Sequence, residues 1–306
     1  MLSGIAAGDP TFLNDLNNDE TRVSRDNQEL SSGVRVNVAS DDPNAVIPLL
    51  EDQNQIADIN QTVTNLNQQE TILKTADGAL QSASGLLNQL ISIGTQGATA
   101  TATAETRASL GQQVQELQQQ LVVLADTNVN GQYVFGGDSP YSQPYTFNWS
   151  SPEGVVSSGS PTNTTALVGL DGASIVPGQT AGQIFDAQLP NGTPDPGNVF
   201  QAVYQLGTAL LNNDQTGIQN ALTSLQTAAG HLTESTVMCG ESEDWVQQQS
   251  ATATSRSTAL TDNVSSLRDA DVASVATDLS QGQVSLDAAL SAEASLPTRS
   301  LFSYLA

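Results

Sequence analysis

Positive charge is scarce in this sequence. Its 306 residues include 8 Lys and Arg against 32 Asp and Glu, which gives a formal net charge of −24. Lys74 is the only lysine. Binding to nucleic acids or to anionic membranes relies on clustered cations that release counterions from phosphate groups. Because the chain has no such cluster, we expect neither a nucleic acid partner nor insertion into a membrane.

Cysteine, histidine and aromatic residues are nearly as rare. Cys239 and His231 are the only residues of their types, and aromatics make up 4% of the chain, too few for a large aromatic core. The sequence shows no zinc-ligand spacing, EF-hand, phosphate-binding loop or paired nucleophile and base. We interpret His231 as a solvated helix residue and Cys239 as a small apolar packing residue. No catalytic residue, metal site or cofactor is expected, and the chain is predicted not to be an enzyme.

Extended apolar runs are also absent. No stretch approaches the ~18 apolar residues of a transmembrane helix. The start of the chain lacks the basic and apolar regions of a cleaved secretory signal. These absences fit a cytosolic protein, and they fit equally well a protein that is exported by a route without a cleaved signal.

The most regular feature that is present is a seven-residue repeat of large aliphatic side chains. The repeat consists of Ile59, Leu66, Leu73, Leu80 and Leu87. Seven residues span nearly two helical turns, so the repeat predicts one apolar stripe along a single long helix. Asp42 is expected to cap this helix and Pro43 to occupy its first position, whereas Pro48 should bend or delay its first turns. Small residues from 94 to 103 predict its end.

Other segments share the apolar spacing of amphipathic helices. One runs from Pro10 to Leu30, and another, from Glu105 to Thr127, is expected to fold back antiparallel on the long helix. A second long helical pattern holds its phase over residues 218–267. After a phase shift at 269–271, a last amphipathic segment extends to about Ser295 and precedes an apolar tail.

A stretch rich in Pro, Gly, Ser and Thr, residues 138–198, lies between these helical patterns. Just before it, Asn130-Gly131 predicts a turn, and Tyr133 to Phe135 predicts a short strand. The strands predicted within the stretch lie at 145–149, 155–156, 166–168 and 175–176. The predicted fold class is therefore mainly α with a small β insertion: a long antiparallel helical bundle or coiled-coil rod, with paired terminal helices and a β-rich domain.

The apolar rows are longer than one intramolecular neighbour can cover, so we expect contacts with other copies of the chain. Each candidate assembly residue is a large apolar residue in one of these rows or in the tail. They are Leu13, Leu16, Val23, Leu30, Ile59, Leu66, Leu73, Leu80, Val272, Val275, Leu279, Leu286, Leu290, Leu301, Phe302 and Leu305.

Three groups of residues resemble the bacterial flagellin superfamily. The first is Ser32, Gly33, Arg35 and Asn37 with Asp41, Asp42 and Pro43; the second is Gly131, Tyr133 and Phe135; the third extends from Asp269 to Leu305. The Ser-Asp-Asp-Pro form at 40–43 is more similar to the branch of the hook–filament junction than to filament flagellin. The resemblance covers roughly residues 30–137 and 199–306.

This resemblance implies a non-enzymatic structural subunit of the bacterial flagellum, exported by the type III apparatus and polymerised outside the cell at the hook–filament junction. In that family the paired terminal helices form an inner tube, the long helices form the surrounding rod, and the insertion faces outward. The implied partners are other copies of the chain and other flagellar axial proteins, namely hook-associated proteins and flagellin. An export chaperone is implied for the C-terminal helix, about Asp271 to Leu305.

With this resemblance the chain divides into five predicted parts. Residues 1–40 and 269–306 supply the two helices of an inner assembly domain. Residues 41–137 and 199–268 are the two halves of the helical rod, and residues 138–198 are the outer β-rich insertion.

Three functions remain open from the sequence. A junction subunit should form short rings on hook ends, whereas a filament flagellin should grow long filaments from seeds. A surface adhesin on a coiled-coil stalk would instead bind a ligand through residues 138–198.

Overall fold

The computed structural model describes residues 10–159, 166–170, 172 and 174–294. Within these residues it has seven α-helices and three separate two-stranded antiparallel sheets, so the predicted class, mainly α with a small β insertion, is confirmed. The helices are α1 (Pro10–Ser32), α2 (Pro43–Ala98), α3 (Ala104–Ala125), α4 (Ala181–Ile184), α5 (Val199–Leu211), α6 (Gln215–Arg268) and α7 (Val272–Ala294). None of the described helices combines the length and the hydropathy that crossing a bilayer requires.

The chain forms two compact units. One consists of residues 1–58 and 256–306, and the other consists of residues 59–255. In the first unit α1 and α7 pack side by side, and the chain then crosses from α6 to α7 beside the segment that joins α1 to α2. A small core of Val36, Ala45, Leu49 and Val264 lies next to this crossing.

Helix α2 begins where the sequence predicts, because Asp42 Oδ1 accepts hydrogen bonds from Asn44 N and Ala45 N at 3.2 and 3.3 Å. Pro48 does not delay the helix, which begins at Pro43 and continues through Pro48. A proline this close to the start removes one hydrogen bond to a carbonyl that water still reaches. Just before the helix, residues 39–41 form a turn in which Asp41 Oδ2 accepts from Asn37 N and Val38 N.

The same helix ends at Ala98, four residues later than its small residues predict. A Cβ atom at Gly94 would lie 2.7 Å from Leu222 Cδ2, and one at Gly97 would lie 2.4 Å from Leu210 Cδ2. The two glycines therefore let leucines of α5 and α6 lie directly against the α2 backbone. Burial of those leucines offsets the cost of about 1 kcal/mol that each glycine imposes on a helix.

Within the unit of residues 59–255, α3 packs antiparallel against α5, a helix that the sequence analysis did not pair with it. A Cβ atom at Gly111 would lie 2.8 Å from Leu211 Cγ, and one at Gly207 would lie 3.1 Å from Val114 Cγ1. The main core lies among α2, α3, α5 and α6. It includes Leu66, Leu73, Leu80, Leu87, Leu121, Leu206, Ile218, Leu225 and Leu232.

Most of the β-strands lie close to predicted positions, although their ends differ by one or two residues. Strand β1 (Asn128–Val129) pairs with β2 (Gln132–Tyr133), β3 (Tyr145–Phe147) with β4 (Val155–Ser157), and β5 (Leu167–Val168) with β6 (Ser174–Ile175). The predicted turn at Asn130-Gly131 closes the first hairpin with positive φ at both residues, 53° and 82°. Helix α4 was not predicted; Thr180 and Gln183 hold its first turn by a reciprocal capping box.

A small aromatic cluster anchors the insertion to α5. The rings of Phe135 and Phe185 lie 5.7 Å apart, those of Phe185 and Phe200 lie 5.8 Å apart, and Tyr145 meets Phe200 at 5.0 Å. Such pairs stabilise a core beyond the area they bury. Scarce aromatic residues are therefore concentrated at one place, where the insertion meets the helices.

Candidate assembly surfaces

The terminal helices α1 and α7 form an antiparallel pair that covers only part of their apolar surface. Ser285 Oγ donates to Asp19 Oδ2 at 3.2 Å, and a Cβ atom at Gly282 would lie only 2.9 Å from Val23 Cγ2. Val275 and Leu279 are buried against this contact, each 8% exposed. The pair thus has a closely packed inner face that depends on the small residue at 282.

Other apolar residues of this pair remain open to solvent. Among the predicted assembly residues, Leu13 is 51% exposed, Leu30 37%, Val272 53% and Leu290 46%. Val284, which the sequence analysis did not select, is 66% exposed. Leu16, Val23 and Leu286 are half-buried. Leu301, Phe302 and Leu305 lie outside the described residues.

The heptad row of α2 has a different environment. Ile59, Leu66, Leu73 and Leu80 are each at most 4% exposed, and they lie in the unit of residues 59–255. The helices of their own chain cover these four side chains, so the row needs no second copy to cover it. The expectation that other copies cover this row is therefore corrected: non-local packing of the same chain, which the repeat alone cannot reveal, supplies the cover.

In the unit of residues 1–58 and 256–306, the residues of the first flagellin-like group connect the segment between α1 and α2 to the segment between α6 and α7. Gly33 has φ 70°, and its carbonyl accepts from Ala270 N at 2.9 Å. Arg35 donates from Nη2 to Leu267 O at 2.6 Å and from Nη1 to Asp42 Oδ2 at 3.1 Å. One arginine thus ties the start of α2 to the end of α6.

The four other residues of this group complete the turn. Ser32 Oγ accepts from Val34 N at 3.2 Å, and Pro43 is the first residue of α2. Asp41 accepts the backbone N–H groups of Val38 and Asn37, which lower the pKa of its carboxyl. The hydrogen bond from Arg35 likewise lowers the pKa of Asp42. Both carboxylates therefore stay ionised as acceptors at neutral pH.

The second flagellin-like group holds the base of the insertion. Gly131 supplies the turn, and Tyr133 N donates to Pro140 O at 2.7 Å. Phe135 is 2% exposed, and its carbonyl accepts from Ala181 N at 2.8 Å. This group therefore fixes the place where the chain leaves α3 and enters the insertion.

Arg107 is a buried residue whose role the sequence analysis missed. It is 7% exposed and donates three hydrogen bonds: from Nε to Gly97 O at 2.8 Å, from Nη1 to Asn213 Oδ1 at 2.6 Å, and from Nη2 to Thr99 O at 3.2 Å. These acceptors belong to the C-terminal end of α2, the following loop and the turn between α5 and α6. The only sequence signal for this structural role was that Arg107 is one of 8 cationic residues in a strongly acidic chain.

A buried carboxylate connects the insertion to α5. Asp186 accepts from Tyr145 Oη at 3.1 Å and from Asn198 Nδ2 at 2.9 Å. Burial, followed by the hydrogen bond to Asp186 and its negative charge, raises the pKa of Glu153 to about 7. Burial likewise raises the pKa of Tyr145. The folded insertion therefore favours the protonated form of Glu153.

Structural roles account for His231 and Cys239. His231 is half-buried, and its Nε2 lies 2.8 Å from Gln183 O, so the expectation of a solvated residue is corrected by its contact with α4. Cys239 is 4% exposed, and its Sγ donates to Leu73 O at 3.5 Å. Burial raises the pKa of this thiol to about 11, which leaves it un-ionised at neutral pH. Within the described part of the chain, no group of three potential ligands is placed to hold a metal.

Comparison with protein families and solved structures relates this architecture to flagellar proteins. Residues 11–139, which span α1 to α3 and the first hairpin, match the family model of the bacterial flagellin N-terminal helical region. No curated protein sequence matches the chain.

Several solved structures share the fold. A putative flagellar hook-associated protein from Vibrio parahaemolyticus aligns with a TM-score of 0.64 and 17% identity, covering 75% of this chain and 100% of that chain. Bacillus cereus FlgL gives 0.54 and 19%, covering 69% and 97%. The flagellar hook-associated protein-3 of Legionella pneumophila gives 0.57 and 16%, covering 71% and 98%. At these identities the likeness concerns the fold.

The helical fold and the matched region relate this chain to structural proteins of the flagellin type. Residues 11–139 are similar to the N-terminal helical region of bacterial flagellins, and the fold is similar to that of flagellar hook-associated proteins, so the resemblance seen in the sequence is confirmed. The predicted location in the bacterial flagellum is confirmed with it.

Proposed function

We propose that this chain is a non-enzymatic subunit that assembles at the hook–filament junction of the bacterial flagellum, in contact with copies of itself, with other hook-associated proteins and with flagellin. The observation that carries the proposal is the terminal helix pair, in which α1 and α7 pack closely on one face and leave large apolar side chains exposed on the other. The fold shared with hook-associated proteins supports the same place in the flagellum.

Burial of the exposed side chains supplies the free energy for assembly. Complete burial of a large aliphatic side chain contributes about 1.5–3 kcal/mol. Leu13, Val272 and Leu290 are each about half exposed, so each contributes roughly 1 kcal/mol when a neighbouring subunit covers it. Several such residues are needed, because ordering the interface costs free energy. The proposed interface therefore includes the tail residues Leu301, Phe302 and Leu305.

We also propose that helix α7 binds an export chaperone before the subunits assemble. Residues 271–305 include α7, whose exposed Val272, Val284 and Leu290 are apolar in an otherwise acidic and polar chain. A chaperone that covers them before export would prevent premature association of subunits. Loss of chaperone binding on deletion of residues 271–306, measured with the purified partner, tests this assignment.

Assembly on isolated hooks tests the proposed function. Full-length protein added to isolated flagellar hooks should form a short ring at the tip of each hook in negative-stain images. Deletion of residues 271–306 should abolish the ring. Val284→Asp places a charge on the exposed face of α7 and should also abolish the ring. Val168→Asp is the matched control, because Val168 is a similarly exposed valine in the insertion, and it should leave the ring intact. Ring formation by the truncated chain would refute the proposal.

Filament flagellin is the second candidate, because the matched family model is named for flagellins. A flagellin would extend filament seeds into long filaments at rising protein concentration. A junction subunit would stop after a ring. The length of the assembled structures in the same images separates the two functions.

A further inference from the structure

A cavity that the proposed assembly role does not use lies within the unit of residues 59–255. It has a volume of about 190 Å³ and opens between α2 and the loops of the insertion. Its polar lining includes Gln69, Gln132 and Gln179, and Tyr133 and Pro177 add apolar faces. A deeper slot of about 20 Å³ shares Gln69 and Gln179 and reaches Ser235. None of the residues that line the two spaces is charged.

Ser235, which lines the slot, lacks the intrahelical hydrogen bond that its neighbours on α6 form. Thr233, Thr236 and Ser242 each donate their hydroxyl to the carbonyl four residues earlier, at 2.8, 2.8 and 2.9 Å. Such back-bonding is the usual way in which a helix satisfies these side chains. Ser235 is 2% exposed, and its hydroxyl has no hydrogen-bond partner. Because the Ser235 hydroxyl does not bond to the carbonyl four residues earlier, it is free to bond with a group in the slot.

A second polar atom at the same place also lacks a partner. Gln179 lines both the cavity and the slot, and its Oε1 is buried without a hydrogen bond. An unpaired buried polar atom costs about 1–3 kcal/mol. Ser235 offers a donor or an acceptor and Gln179 offers an acceptor, so a hydroxyl group, which both donates and accepts, matches the chemistry of both atoms.

We propose that this cavity binds a neutral saccharide and places one sugar hydroxyl in the slot. The slot has room for one water-sized group, and the cavity has room for on the order of a dozen, which is the size of one sugar ring with its hydroxyls. Amide side chains pair with hydroxyls, and the faces of Tyr133 and Pro177 suit the apolar face of a pyranose. Anionic sugars are disfavoured by the net charge of −24 and by a lining without cations.

Ligand-observed saturation-transfer NMR on the full chain tests this site. The probes are the methyl glycosides of glucose, galactose, mannose and N-acetylglucosamine, with glucuronic acid as the anionic counterpart. At least one neutral glycoside should bind and glucuronic acid should not. Ser235→Ala should weaken binding up to about tenfold through loss of one hydrogen bond. Because the native hydroxyl has no partner, the melting temperature of this variant should be unchanged or higher.

Ser242→Ala is the matched control, since Ser242 is also buried on α6 but its hydroxyl bonds within the helix. Its dissociation constant for the sugar should equal that of the wild type. Repeating the titration with the bound sugar coupled to a carrier protein separates a terminal glycan residue, which binds in both forms, from a free sugar, which binds only uncoupled. Absence of binding by every probe, or an unchanged constant in Ser235→Ala, would mean that the slot holds only water and would overturn the proposal.

Discussion

Gly282 provides the most direct test of the terminal helix pair. A Cβ atom at this position would lie 2.9 Å from Val23 Cγ2, whereas carbon atoms pack best at about 3.5–4.0 Å. Val23 is β-branched, so its Cγ2 cannot rotate away freely. A side chain at 282 must therefore move the two helices apart by roughly 0.6–1 Å, which forfeits a quarter to a half of the dispersion energy of the atoms that face each other there.

Gly282→Val is the perturbation that we expect to break this contact. Overpacking costs about 1–3 kcal/mol, and replacing a helical glycine returns only a few tenths of a kcal/mol when the new residue is valine. The free energy of unfolding of the α1–α7 pair should therefore fall by about 1–2.5 kcal/mol. Hydrogen exchange measured by mass spectrometry should become faster in peptides of α1 and α7, and remain unchanged in peptides from residues 59–255.

Two further variants make this test specific. Gly230→Val is the matched control: Gly230 is an exposed helical glycine on α6, and a Cβ atom there would meet nothing within 4 Å. It should leave exchange in α1 and α7 unchanged. Val23→Ala in the Gly282→Val background removes the clashing methyl groups and should recover part of the loss. Unchanged exchange in α1 and α7 of Gly282→Val would refute the packing described for the pair.

Two other predictions concern the unit of residues 59–255. Arg107→Gln removes the donors that bond Gly97 O, Thr99 O and Asn213 Oδ1, so the free energy of unfolding measured in urea titrations should fall by about 2–4 kcal/mol. Lys74→Gln, which removes an exposed cation, is the control and should change the free energy of unfolding little. Equal effects of the two variants would contradict the role of Arg107. For Glu153, the folded pKa of about 7 lies above the ordinary value of 4.5, so the folded state holds a proton that the unfolded state releases. Stability should fall as pH rises from 4.5 to about 7 and then level off. Glu153→Gln should flatten that part of the profile, and an unaltered slope would show that other groups cause it.

The sequence by itself determined the local features of this protein. The seven-residue repeat, the cap at Asp42 and the turn at Asn130-Gly131 each depend on residues that are neighbours along the chain, and each predicted element is present. The flagellin-like residues Gly33 and Arg35 were recognised by their resemblance to a known family, whereas the contacts that they make are with Ala270 and Leu267, far along the chain.

Only the tertiary structure decided which surfaces are covered. The repeat on α2 shows a stripe that must be buried, but residues distant in sequence bury Leu73 and Leu80 within the same chain. The contacts of Arg107 and the unpaired hydroxyl of Ser235 were likewise not predictable from the sequence, because both depend on which distant loops and helices pack against these residues. Periodicity describes one face of one helix, whereas pairing is a property of two faces, and the energy that selects it comes from contacts across long loops.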